Sequence, residues 1–242
     1  MSESPTIVLV PGFWLGGWAW DAVASRLRDR GFPVVQLTLP GLESADTPRA
    51  AITLADHVDA VADAVRAAGS DVILVGHSGA GAVITGAADL VPDLIARLVF
   101  VDSGPAADGH VGSPDLPADV VEIALPSWRE LEAAGSSLAG LDDEALAQFR
   151  ARGVPHPAGP ARETMHLNDD RRHTIPVTLV CTSFPVAQVR ALIDAGHPWF
   201  AELTLFDSVD LVDVPTGHWP MWSKPDEAAA AIADAASSAS VG

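Results

Sequence analysis

The chain has 242 residues, 48% of them hydrophobic, and sets 14 basic against 32 acidic side chains for a formal net charge of −18. That negative surplus argues against nucleic acid and anionic membrane surfaces as partners, and no run reaches the ~18 apolar residues of a membrane-spanning helix. The single cysteine, Cys181, cannot form an internal disulfide and reads as a small buried hydrophobe.

The first five residues lack the basic start and long apolar stretch of a signal peptide, so a cytoplasmic protein is expected. An apolar run predicts a strand at 6–10, followed by a helix at 18–30 and a second strand at 33–37. Helix 54–68 places Leu54, Val58, Val61, Ala62 and Val65 on one stripe, with Thr53 as its cap. Strand 72–75, helix 81–90 and strand 98–102 follow. Strand 177–181, helix 185–195, strand 211–214 and helix 225–236 complete the series, and residues 237–242 read as a disordered tail. The alternation predicts an α/β fold with a mostly parallel central sheet of about six strands and helices on both faces.

Residues 103–174 break that rhythm with many prolines and glycines and two short helix candidates, 127–134 and 142–152. An excursion from the C-terminal edge of a parallel sheet reads as a lid over a site. The chain is thus expected to divide into a core at 1–102, a lid at 103–174 and a second core part at 175–242.

Gly76, His77, Ser78, Gly79 and Ala80 directly follow a predicted strand and lead into a predicted helix. A serine on so sharp a turn has the form of a nucleophile elbow, whose flanking residues must be tiny. Ser78 needs a base, and His218 lies just after the last predicted strand, where a loop returns over the sheet edge. His77 is expected to point elsewhere on the elbow, while His110, His156, His166 and His173 fall in the insertion. Acyl transfer also needs two backbone amides for an oxyanion. Gly79 offers one and Phe13, in the glycine-rich loop after the first strand, offers the other. Trp14, Trp128, Phe149 and Trp219, with Phe13, Trp199 and Trp222, are candidates to line an apolar pocket. Arg150 and Arg152 read as solvated lid charges, with a substrate carboxylate as the alternative partner.

On these segments the chain resembles the α/β-hydrolase superfamily, and within it the plant methylesterase and hydroxynitrile lyase branch. The resemblance implies Ser78 as nucleophile, His218 as base, and the Phe13 and Gly79 amides as oxyanion hole. It also implies a small-molecule ester-type substrate, no cofactor or metal, and a monomer or homodimer. The chain departs from the pattern twice. Pro11 stands where the first loop usually has a histidine, and no carboxylate follows the strand at 177–181, where the acid is expected. Asp102, at the end of the preceding strand, is the acid candidate, with Asp194 as the weaker one. A lyase of this branch would carry a lysine after the histidine, and Trp219 stands there instead. Hydrolysis of a carboxylic ester, lactone or thioester follows. A catalytically silent ligand-binding protein, or a perhydrolase or lyase on the same serine and histidine, is the alternative.

Overall fold

In the computed structural model, which describes residues 4–239, the four residues of the first strand are all buried, as a strand covered on both faces requires. The strands are β1 (Ile7–Val10), β2 (Val34–Gln36), β3 (Val72–His77), β4 (Ile95–Val101), the short pair β5 (Glu122–Ile123) and β6 (His156–Pro157), then β7 (Val177–Cys181) and β8 (Val209–Asp213). Six of them form one parallel sheet in the order β2-β1-β3-β4-β7-β8, while β5 and β6 make a separate antiparallel ribbon.

The two faces follow the two-residue repeat of a strand. Val8, Val10, Leu74, Leu98 and Phe100 point to one layer, covered by α2 (Leu54–Ala68) and α3 (Ala80–Leu90). Ile7, Leu9, Ile73, Val75 and Val99 point to the other, covered by α1 (Asp21–Asp29) and α9 (Pro225–Ala239). In α2 the expected stripe is buried, and Thr53 caps it reciprocally. The Thr53 hydroxyl accepts from the Asp56 amide at 3.1 Å and the Asp56 carboxylate accepts from the Thr53 amide at 2.8 Å. His57 lies on the same buried stripe.

The remaining helices are α4 (Trp128–Ala133), α5 (Asp143–Arg152), α6 (Ala158–Arg162), α7 (Val186–Asp194) and α8 (Pro220–Ser223). Several boundaries differ from expectation, among them the start of β8 at Val209 and of α1 at Asp21. β4 begins three residues early, because Ile95 and Arg97 already pair with β3, and β3 runs on through His77. Helix α9 continues to Ala239, with the Ser237 and Ser238 hydroxyls donating back to the Ala233 and Asp234 carbonyls. The expected tail is therefore helical to that point, and 240–242 lie outside the described residues, as do 1–3 at the other end. Among the described residues, no helix is long and apolar enough to cross a membrane. Cys181 is buried, and that burial pushes its thiol up to about 12, so it is inert as a nucleophile.

Candidate active site

Between the end of β3 and the start of α3 the chain reverses at Ser78, whose φ of +54° is strained for a residue with a side chain. The reversal is possible only because the neighbours are small. A Cβ on Gly76 would meet Ile84 Cδ1 at 2.8 Å, and one on Gly12 would meet Ser78 Cβ at 2.9 Å. His77 pairs with Val101 across the β3–β4 ladder, so Ser78 and Asp102 follow at matching positions on neighbouring strands. Asp102 is likewise left-handed, at φ +46°.

His218 reaches both from the loop after β8. Its Nε2 lies 2.8 Å from Ser78 Oγ, and its Nδ1 lies 2.5 Å from Asp102 Oδ2. A carboxylate can only accept, so the proton sits on Nδ1, and the Nε2 lone pair faces the serine hydroxyl. Burial alone would raise the Asp102 pKa. The hydrogen bond and charge of His218, with the Ser183 hydroxyl (2.7 Å) and amide (2.9 Å), outweigh it and hold the carboxyl well below the usual range. Ser183 thus occupies the stretch where the family acid is expected and donates to a carboxylate one strand over. Asp194 lies exposed on α7.

The first loop closes against the elbow. Among the described residues, neither the Phe13 nor the Gly79 amide donates to a protein acceptor, and both residues line the two cavities that open onto Ser78. The larger cavity, of about 440 Å³, has apolar walls that include Leu39, Leu54, Val83, Ala106 and Met165, with Trp199 also lining it. The smaller, of about 120 Å³, is bounded by Trp14, Ser136, His218 and Trp219. No three His, Cys, Asp or Glu side chains among the described residues are arranged to hold a metal ion.

Residues 7–231 match the model of the alpha/beta hydrolase family. The chain belongs to that family. It is 30% identical over 250 residues to a carbendazim hydrolyzing esterase of Nocardioides sp. (strain SG-4G), covering 93% of this chain and 97% of the relative. It is 28% identical to Methylesterase 7 of Arabidopsis thaliana, covering 95% of each. A solved extracellular alpha/beta-hydrolase from a Paenibacillus species superposes with a TM-score of 0.74 at 25% identity, covering 96% of this chain and 98% of that one.

In this hydrolase several side chains expected in the pocket belong elsewhere. Phe149, on α5 of the insertion, is fully buried and packs against Trp128 at 5.4 Å, Trp219 at 5.3 Å and Trp222 at 5.0 Å between ring centres. Trp128 and Phe149 therefore line neither cavity; a large aromatic on an amphipathic helix is claimed first by the core. Trp14 and Trp219 border only the smaller cavity, and Trp222 stacks on Trp18. Arg150 lies over Trp128 and Arg152 over Trp18, so neither faces the larger cavity.

Three histidines were missed or misjudged as bystanders. His77 does not point away from the site: its Nε2–H donates to the His218 carbonyl at 2.7 Å, tethering the loop that carries His218. His57 donates to the Pro40 carbonyl at 2.8 Å, and His156 stacks on Phe13. Burial lowers the pKa of all three, to about 3 for His77, where the nearby His218 charge adds to the effect. A histidine with its folded pKa below the ordinary 6.5 stays neutral in the native state while the unfolded chain takes up a proton. The stability it supports is complete above about pH 6.5 and is lost as pH falls towards the folded value. His77, His156 and His57 all act in this direction, so stability is expected to fall between pH 7.5 and pH 5. Denaturant unfolding at the two pH values measures it, and equal stabilities would contradict these protonation states.

Proposed function

We propose that this hydrolase is a serine esterase that cleaves a carboxylic ester, lactone or thioester of a small to medium apolar substrate through an acyl-Ser78 intermediate. The observation that carries the proposal is the unbroken chain of contacts from Ser78 through His218 to Asp102. His218 takes the serine proton as the hydroxyl attacks the carbonyl carbon, and the ionised Asp102 stabilises the imidazolium. The Phe13 and Gly79 amides receive the negative charge that develops on the carbonyl oxygen. His218 then delivers its proton to the leaving group and activates a water to release the acid. Relatives named esterase and methylesterase that align over nearly the whole chain support the reaction class. A protein that only captured a ligand would have no use for a serine strained to φ +54° against a histidine.

Substrate class follows from the walls. Residues 103–174 act as a lid and contribute His110, His156, Ala161 and Met165 to the larger cavity. The described residues that line it include Glu163 and Glu202, the latter paired with the buried Arg172 at 3.1 Å, but no Lys or Arg, so a substrate carboxylate would meet apolar groups, the Glu163 charge and no cation. The smaller cavity suits a small second group. The test is hydrolysis of p-nitrophenyl butyrate against the equally long but anionic p-nitrophenyl hemisuccinate. The neutral ester is expected to have a kcat/KM about 10- to 100-fold higher, the penalty of a like-charge contact at the boundary of the protein. Equal rates would overturn the substrate class, and no hydrolysis of either ester by folded protein would overturn the esterase proposal.

A further inference from the structure

The loop that carries the Phe13 amide has no regular structure of its own. It leaves β1 through Pro11 and Gly12 and passes Trp14 at φ +66°, a left-handed conformation that a tryptophan holds only when its surroundings impose it. The surroundings that impose it come from the β5–β6 ribbon of the inserted segment. Trp14 Nε1–H donates to the Ile123 carbonyl at 3.0 Å, and the Val154 amide donates to the Trp14 carbonyl at 3.0 Å. His156, which pairs with Ile123 across the ribbon, stacks on the Phe13 ring at 3.8 Å between centroids and 11° between planes. The Phe13 ring in turn packs so closely over Gly79 that a Cβ there would lie 2.5 Å from Phe13 Cε1. One rung of the ribbon therefore touches the first oxyanion residue, which touches the second.

The ribbon is itself pinned. Arg49, a buried arginine, donates from Nε to the Pro155 carbonyl at 2.8 Å and pairs with Glu122 at 3.3 Å. His156 is buried with both ring nitrogens lacking a protein partner, so hydrogen bonding gives no reason for a histidine at this place. Its ring stacks on Phe13, meets His57 edge-on at 5.6 Å and forms part of the wall of the larger cavity. An oxyanion donor works only when held near 3 Å from the charge that forms, and a displacement of about 1 Å can cost roughly 100-fold in rate.

We propose that His156 is a positioning residue that, through its stacking on Phe13 and with the Trp14 tethers beside it, holds the first-loop amide in register for the oxyanion. The inference rests on the esterase proposal. The inserted segment then takes part in setting the catalytic geometry as well as walling the cavity.

The experiment compares wild type, His156→Ala, His156→Phe and Trp14→Phe on p-nitrophenyl acetate, whose acyl group ends in a single methyl, with thermal unfolding of each variant. His156→Ala is expected to lower kcat about 10- to 100-fold with KM unchanged, and His156→Phe, which keeps a stacking ring, to restore kcat. Full kcat in His156→Ala, a change confined to KM, or a His156→Phe variant as slow as the alanine would each overturn the proposal. If His156→Ala does not fold, Trp14→Phe decides, since it removes the tether to Ile123 while keeping an aromatic ring beside Phe13 and in the wall of the smaller cavity: a lower kcat at unchanged KM supports the proposal and full kcat overturns it. Inactive wild type would instead fail the esterase proposal, so the two failures are told apart.

Discussion

Ser78→Ala lowers ester turnover by about 10⁶-fold, the loss seen when the nucleophile of a serine triad is removed. The size follows from the site. The Ser78 hydroxyl is the group on His218 Nε2, and without it the histidine can only activate water at a carbonyl still held by the two amides. The fold is expected to survive, because alanine keeps the Cβ and so leaves the tight contacts of the elbow unchanged, while the lost hydrogen bond costs about 1 kcal/mol. Initial rates with p-nitrophenyl butyrate, alongside a thermal unfolding curve, check both halves. Turnover within tenfold of wild type would remove Ser78 from the chemistry.

Asp102→Asn lowers turnover by about 10⁴-fold while leaving the protein folded. Asparagine tolerates the left-handed backbone at this position, where φ is +46°, better than most residues do. It also keeps an oxygen for the Ser183 amide, which donates to Oδ1, while the Ser183 hydroxyl, which donates to Oδ2, can turn to accept from the new amide nitrogen. Its amide nitrogen cannot accept from His218 Nδ1–H, so the imidazole flips to the tautomer with the proton on Nε2. That proton then faces Ser78 Oγ, and the base is gone. Single-turnover rates on the folded variant check this, and an unchanged rate would move the acid elsewhere.

The sheet and its covering helices were legible because β1, β3 and β4 are continuous apolar runs and the helices carry clear stripes. The meeting of Ser78 and His218 was legible too, since the small residues around the elbow and a late loop histidine constrain their places locally. Asp102 is the acid that the sequence favours over Asp194, but its contact with His218 depends on β4, β7 and β8 lying side by side, and that order appears only in the folded sheet. Ser183 left no signal, being a serine where a carboxylate was expected. Phe149 and Trp128 line neither cavity for a different reason: they sit on short helices and pack against Trp219, Trp222 and each other, and nothing in their spacing distinguishes core from cavity. His57 had a signal that went unused, because its place on the α2 stripe beside Val58 and Val61 marks it as inward-facing. His156 had none, since its role depends on a two-residue ribbon bringing it onto Phe13.

An acyl-Ser78 mechanism is tested most directly by covalent chemistry at the elbow. Folded wild-type protein is treated with a fluorophosphonate, digested, and the modified peptide located by mass spectrometry. One phosphonyl group per chain on Ser78, absent from Ser78→Ala and strongly slowed in Asp102→Asn, is the predicted result. Folded protein that stays unlabelled, or that carries the label on another residue, would contradict an acyl-Ser78 mechanism.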